Sequence, residues 1–538
     1  MLAFLLSPLI LFFPQQSALE IRNLTINPPS QHTLYQPIEI RFELSGTWSN
    51  PFDPTQADVT ATIIAENDTY SIVNGIFFQE YEAQIQNDEE ILKPIGEPTW
   101  RIRFAPWRTG SFDIFIKVSD MTRAIEAPKI GIKVARKNAP PFISIPEKSL
   151  TFMLEKQTFI PIGVTLNPLG KKGLTDIEER FAQLAEKGFN CCRVILTPEN
   201  LGLEWTPTSA MPDYRGLGIY NLKNAWRLDR LCEIAQKHKI YLLITLSTGD
   251  EWTNRWEQNP YNKKNGGPCN SVDDFWTDVK ARVQFKRRLR YQINLLQHHQ
   301  NILGFQIFDG IEAPAYWLRE IGNEIIGIHT FGLPLTTFPE SQEARKLKQL
   351  GFRSFIIESD KDAIQAGRQI YTQIADANKI ARKPTLVFAN SLPKEPLALR
   401  TFIWSSFLSG AFGGIVIPEN EIRNEELLKK AIVPFSSLIR ETNWSTRKWE
   451  SSMSNESEAI IWSIADESGG FAYISTPPDV TTQQVSIRFK HLGNVRCQWI
   501  NPETGEKIKE ETRKSDGSVL RFTAIPPFRD VLCIFSKV

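Results

Sequence analysis

Asn301-Ile-Leu-Gly-Phe-Gln-Ile-Phe-Asp-Gly310 decides how this 538-residue chain folds. Its apolar run, closed by Asp-Gly, reads as a strand buried on both faces. Working outward, comparable runs recur at 159–166, 190–196, 240–246, 333–338, 352–359, 384–390 and 413–418. Amphipathic helix patterns lie between them. One starts at Thr175 with Glu178 three residues on, a capping-box arrangement, buries Ile177, Phe181 and Leu184, and stops at Gly188. Leu228, Leu231 and Ile234 mark a second apolar helix face, and Phe285, Leu289, Ile293 and Leu296 a third. Buried strands alternating with helices predict a closed parallel (β/α)₈ TIM barrel over residues 140–447.

The flanks have a different period. Ile38, Ile40, Phe42 and Leu44 alternate, as do Phe112, Ile114, Ile116 and Val118, with Asn50-Pro51, Asp53-Pro54 and Asn74-Gly75 as turns. Residues 19–136 are therefore expected to form an antiparallel β-sandwich, followed by a stiff linker at Lys137-Asn-Ala-Pro-Pro141. Alternation returns at Ile460-Ile-Trp462 and Val485-Ser-Ile-Arg-Phe489, which predicts a second β-sandwich over 448–538. The fold class is multidomain, all-β and α/β, with the barrel between two sandwiches.

Composition narrows the function. Hydrophobic content of 41% with 14 Trp and 33 Phe requires ordered globular structure. A net charge of +1 gives no electrostatic basis for binding nucleic acid or an acidic membrane surface. The 6 Cys are too sparse for a disulfide scaffold, and Cys191-Cys192 read as small core residues inside a strand. No Cys/His spacing matches a metal site, and no cofactor is implied. His298-His299 read as solvated residues near a helix end, and Lys286-Arg287-Arg288 as a solvated helix exterior. Asn23-Leu-Thr25 and Asn67-Asp-Thr69 fit the glycosylation sequon. The start, Met1-Leu-Ala-Phe-Leu-Leu-Ser-Pro-Leu-Ile-Leu-Phe-Phe13, is short for a bilayer span and resembles a signal peptide ending near Ala18. A secreted, periplasmic or envelope protein with no transmembrane helix in its mature chain is expected; a buried first strand or a retained anchor is the alternative.

Several segments carry a family resemblance. Tyr220-Asn-Leu-Lys-Asn-Ala-Trp-Arg-Leu-Asp229, Asn259-Pro-Tyr-Asn-Lys-Lys-Asn-Gly-Gly-Pro-Cys269 and Phe285-Lys-Arg-Arg-Leu-Arg-Tyr291 resemble cellulase-like barrels related to glycoside hydrolase family 5. Gly46-Thr-Trp-Ser-Asn-Pro-Phe52 and Trp100-Arg-Ile-Arg-Phe-Ala-Pro106 resemble the sandwich that often precedes them, and Trp499-Ile-Asn-Pro-Glu-Thr-Gly505 with Arg529-Asp-Val-Leu532 the one that follows. The resemblance implies a retaining glycosidase, with two carboxyl groups roughly 5–5.5 Å apart. It places the acid/base at Gly310 and the nucleophile at Ala389, neither of which can do that chemistry. Asp309 falls on the Asn that precedes the acid/base. Thr248 stands where relatives carry a His, Ile357-Glu358-Ser359 where they carry His-x-Tyr, and Ile415-Val-Ile-Pro418 lacks their Trp. Arg193 is retained, at the position that implies a partner for the nucleophile.

Three function classes follow. The first is a pseudoglycosidase that binds a polysaccharide or oligosaccharide through Arg193 and a rim of Trp205, Trp252 and Trp256, whose indole faces suit sugar stacking. The second is an active hydrolase with relocated carboxylates, drawn from Asp309, Glu312, Glu358, Asp360, Glu419 and Glu421, with Asp309 and Glu358 foremost. Asp309 would point away from the barrel axis unless the strand end bends. The third is an envelope or scaffold protein with no sugar ligand.

Overall fold

The structure is a computed structural model, described over residues 19–136, 141–358, 362–440, 442, 444, 448–456, 459–476, 484–523 and 525–538. The signal-peptide segment, most of the linker, Ser359 and Asp360 lie outside the described residues.

Eight parallel strands form the centre: β1 (Ile162–Thr165), β2 (Cys191–Ile195), β3 (Tyr241–Thr245), β4 (Ile302–Asp309), β5 (Leu335–Phe338), β6 (Arg353–Ile357), β7 (Thr385–Ala389) and β8 (Gly414–Pro418). Their order is β5-β4-β3-β2-β1-β8-β7-β6, an almost closed barrel whose seam lies between β5 and β6. The seam is stitched rather than laddered. The Gly351 N–H donates to Leu335 O at 2.9 Å, and the Thr336 and Ser354 hydroxyls meet at 3.2 Å.

Alternation sorts the strand side chains. Cys191, Leu243, Leu303, Leu386, Phe388 and Val416 fill the barrel, and Phe152 closes its lower end against Phe352. Opposite-parity residues such as Cys192, Val194, Ile415 and Ile417 pack outward against the helices. Each fully buried Leu, Ile or Phe contributes roughly 1.5–3 kcal/mol. The helices are α1 (Ile177–Glu186), α2 (Leu222–Lys237), α3 (Val279–Leu296), α4 (Ala315–Ile328), α5 (Gln342–Arg345), α6 (Ala363–Ile380), α7 (Pro396–Leu408) and α8 (Glu425–Arg440); two further short ones, Gly249–Trp252 and Val272–Thr277, lie in the loop after β3.

In α1, Ile177, Phe181 and Leu184 are buried as expected. The capping box is not made: the N-cap is Asp176 and has no side-chain cap bond. Side-chain caps form on other helices, among them Asn221 on α2, accepting from the Asn224 N–H at 3.1 Å, and Asp278 on α3, accepting from the Ala281 N–H at 2.8 Å.

N-terminal to the barrel, two sheets, antiparallel except for the short parallel pairing of His32–Thr33 with Ile130–Ala135, share one apolar core that includes Ile38, Ile40, Phe42, Ile114, Ile116 and Val118. C-terminal to it, a second pair of antiparallel sheets packs around Trp499, Cys497 and Phe535. No described helix is long and apolar enough to cross a membrane.

Charged residues hold the N-terminal sheets to the barrel, and here two expectations fail. His298 and His299 are buried, not solvated: His299 Nε2 lies 2.8 Å from Asp229 Oδ1, and Arg103 reaches the same oxygen at 3.0 Å. Lys286-Arg287-Arg288 is not a free face either. Lys286 pairs with Glu320 at 2.9 Å, Arg287 with Asp53 at 3.0 Å, and Arg288 is buried.

A third buried histidine, His329, accepts the Phe331 N–H at 3.1 Å beside Phe142. Burial pushes its imidazole down to about 3. A folded-state value below the unfolded one of about 6.5 leaves stability intact above that pH and erodes it as the pH falls, by about 1.4 kcal/mol per unit. Denaturant unfolding at pH 7, 6 and 5 should therefore show a shallower acid loss in His329→Gln than in the wild type.

Candidate functional site at the barrel mouth

Parallel strands place the mouth at their C-terminal ends. The inward side chain of β2 there is Arg193, with 4% of its surface exposed. Its Nη2 donates to Asp309 Oδ2 at 2.5 Å, and its Nε lies 3.1 Å from both Thr245 Oγ1 and Gln306 Oε1. The guanidinium stands 4.5 Å from the centre of the Phe388 ring. Burial lowers the Arg193 pKa, and the Asp309 charge opposes that shift. The guanidinium remains ionised in any case, so it needs an anion, and Asp309 supplies one.

Asp309 reaches this position because β4 does bend. Pairing with β5 slips between Gln306 and Asp309, so Phe308 turns outward onto Phe285 and Trp317 while Asp309 returns to the inner face. The next residue, Gly310, has φ +87° and donates its N–H to Phe338 O at 2.8 Å. The backbone also passes close to β3's loop: a Cβ on Gly249 would meet Gly310 O at 2.3 Å. A non-Gly residue at 310 would be strained, so this strand end is shaped for glycine.

On β7 the expected nucleophile position needs correction. Leu386 and Phe388 face the barrel, so alternation turns Ala389 outward into the strand–helix core. The β7 side chain set against Arg193 is Phe388. A phenyl ring, not a carboxylate, stands there.

The remaining acids differ in their engagement. Glu419, after β8, is held by Arg180, at 2.9 Å to its Oε1 and 2.6 Å to its Oε2, and accepts the Asn167 N–H at 2.6 Å. Glu312 is exposed in the β4 loop. Glu358 is exposed and shares the inward parity of Ser354 and Ile356 on β6.

The aromatic rim is corrected as well. Trp205 and Trp252 are each only 1% exposed, so neither presents a face to a sugar. Arg255 covers the Trp205 ring at 4.9 Å. Trp252 donates its indole N–H to Ser247 Oγ at 2.8 Å and packs on Phe275 at 4.0 Å. Trp256 is half-buried, stacked over Trp252 at 6.3 Å.

Beneath these loops lies a cluster that the sequence reading missed. Glu204, Glu251 and Arg288 are buried around a cavity of about 10 Å³ lined also by Thr197, Leu246 and Gln292. Burial raises both carboxyls, and Arg288 opposes the shift. The cavity has room for about one water molecule and none for a sugar ring. The signal was present in the sequence: Arg288 and Gln292 follow Phe285 at i+3 and i+7, on the buried stripe of α3. Asp229 likewise sits between Ala225 and Cys232 on the buried stripe of α2.

The buried Asp229, His298 and His299 offer three ligand atoms within 4.8 Å of one another. A divalent ion does not suit them, because the Arg103 guanidinium already lies 3.0 Å from the shared Asp229 oxygen.

A crystal structure of a proposed glycoside hydrolase from Bacteroides vulgatus superposes with a TM-score of 0.63 at 12% identity, over 95% of this chain and 100% of that one. By fold, the chain is a glycoside hydrolase-like barrel. Two endo-1,4-β-mannanases, from Rhizomucor miehei and Thermotoga petrophila, match more weakly. Their TM-scores are 0.40 and 0.41 at 16% and 12% identity, over 51% and 68% of this chain and 90% and 91% of theirs. No protein-family model matches the sequence, and no curated protein matches it. The likeness therefore establishes architecture alone.

Proposed function

We propose that the protein is a pseudoglycosidase: an exported, carbohydrate-binding barrel, flanked by β-sandwich domains, that does not hydrolyse its ligand. The observation that supports this best is the Arg193–Asp309 pair. A carboxylate bound at 2.5 Å to a buried guanidinium is committed to charge balance. It is poorly placed to deliver a proton or attack a sugar carbon. With Gly310 and Phe388 completing the site, a retaining pair roughly 5–5.5 Å apart has no second member on β4 or β7. Losing an acid or a nucleophile typically raises a barrier by about 4–8 kcal/mol. Binding would rest on the half-exposed Trp256 and on polar groups at the strand ends.

The test is turnover of aryl glycosides, β-glucans, mannans and xylans by the purified protein, with Asp309→Asn and Glu358→Gln alongside. Calorimetric titration with the same glycans should show weak binding, about −8 to −4 kcal/mol, that Trp256→Ala reduces. No turnover with measurable binding is the expected result. Neither turnover nor binding would favour a scaffold with no sugar ligand. Turnover abolished by Glu358→Gln would establish the second reading, an inverting hydrolase. The inward parity and exposure of Glu358 favour that reading, since inverting carboxylates sit roughly 6.5–9.5 Å apart and constrain position less.

A further inference from the structure

The N-terminal sheets do more than pack beside the barrel. Their strands Ile76–Gln86 and Glu89–Phe104 form a long hairpin that runs along α2. Glu80 accepts the Trp226 indole N–H at 2.8 Å, and Tyr81 meets the Trp226 ring edge-on at 6.1 Å. Trp226 lies near the N-terminus of α2, so the hairpin tip is carried towards the mouth end of the barrel.

There it meets the loop that follows β1, residues 166–176. The Glu90 side chain is 1% exposed and accepts the Leu174 N–H at 2.7 Å and the Arg227 Nε–H at 2.6 Å. Its own N–H donates to Lys171 O at 2.7 Å. Lys171 pairs with Glu89 at 2.6 Å and Lys172 with Asp88 at 3.1 Å. Gly173, with φ +55°, lies so close that a Cβ would stand 2.2 Å from the Glu90 carboxylate. The other side of the loop is tied to the strand ends themselves. The Asn167 N–H donates to Glu419 after β8, and the Leu169 N–H to Asn200 Oδ1 after β2, at 3.1 Å.

We infer that Glu90 is a positioning residue of the barrel mouth: the hairpin tip acts as a brace that fixes the β1 loop, so that part of the rim is set by the N-terminal sheets. A buried carboxylate accepting a loop N–H and an arginine is a strong, directional anchor. The exposed pairs Lys171–Glu89 and Lys172–Asp88 add little to it. As a ligand-binding role, the brace rests on the carbohydrate-binding reading above; as a mechanical one it does not.

Hydrogen–deuterium exchange on the full chain separates the two. Glu90→Ala should raise exchange across 166–176 about tenfold or more while the barrel strands keep their protection. Glu90→Gln, which retains an acceptor, should fall between Glu90→Ala and the wild type. Gly173→Ala, which drives a methyl into the carboxylate, should loosen the same loop without touching the hairpin's charge. Any glycan that binds the wild type should bind Glu90→Ala several-fold more weakly, with no change when the exposed Lys172 is replaced by Ala. Unchanged exchange across 166–176 in both Glu90→Ala and Gly173→Ala would overturn the brace. A loosened loop with unchanged glycan affinity would overturn its role in binding. If the wild type binds no glycan, the pseudoglycosidase reading fails while the exchange result still decides the brace.

Discussion

Asp309→Asn is expected to destabilise the barrel by about 3–5 kcal/mol, because it leaves the buried Arg193 guanidinium without its anion. The amide keeps the shape and one acceptor, so the loss reports charge rather than volume. Gln306 and Thr245 would still touch Arg193, but neither carries a charge. The double variant Arg193→Met/Asp309→Leu should recover most of the loss, since replacing both ions removes the desolvation cost along with the attraction. Denaturant midpoints of the barrel transition provide the measurement. A catalytic Asp309 predicts the opposite sign, because strained active-site groups commonly stabilise a protein when neutralised. Stabilisation by Asp309→Asn would therefore count against a purely structural role and reopen the hydrolase reading.

Asp229→Ala should cost about 3 kcal/mol and uncouple the N-terminal sheets from the barrel. Asp229 is 5% exposed and lies where Arg103 of the sheets meets α2 and His299 beyond α3. Arg103 keeps a second partner in Glu39 at 2.7 Å, which places the cost at the lower end of the range for a broken buried pair. Burial alone would raise the Asp229 carboxyl; Arg103 and His299 outweigh it and hold the group well below the ordinary carboxylate range. A depressed folded value contributes stability that is present above the unfolded pKa of about 3.9 and lost as the pH falls below it. Acid unfolding of the wild type should thus release the N-terminal sheets early, and Asp229→Ala should show that release at neutral pH. Coincident loss of all structure in the variant would contradict the separate-module picture.

The barrel was legible because burial leaves a one-dimensional trace. Strands buried on both faces must be apolar throughout, and the helices that cover them must carry one apolar stripe, so β4 and α1 declare themselves in the chain. The site was legible in part in its residue types: Gly310 and Ala389 have no carboxyl whatever their geometry, but that Phe388 rather than Ala389 faces Arg193 was not. Orientation was not. A strict alternation points Asp309 away from the axis, and only the slip in β4 pairing brings it to Arg193. The tryptophans near the mouth announced aromatic surface, but whether an indole is covered depends on Phe275, Ser247 and Arg255, which arrive from other segments. His298, His299 and Arg288 were misplaced for the related reason that a charged residue on a buried stripe survives only with a partner, and the partner is distant in sequence.

The sequence by itself determined the buried strands and helix stripes and the absence of carboxyl groups at Gly310 and Ala389, because those follow from side-chain chemistry and local periodicity. Only the tertiary structure decided that Asp309 balances Arg193, that Trp205 and Trp252 are closed off, and that Glu90 braces the β1 loop. Each of those depends on contacts between segments far apart in the chain, and ion pairing and burial are properties of such contacts rather than of any single stretch.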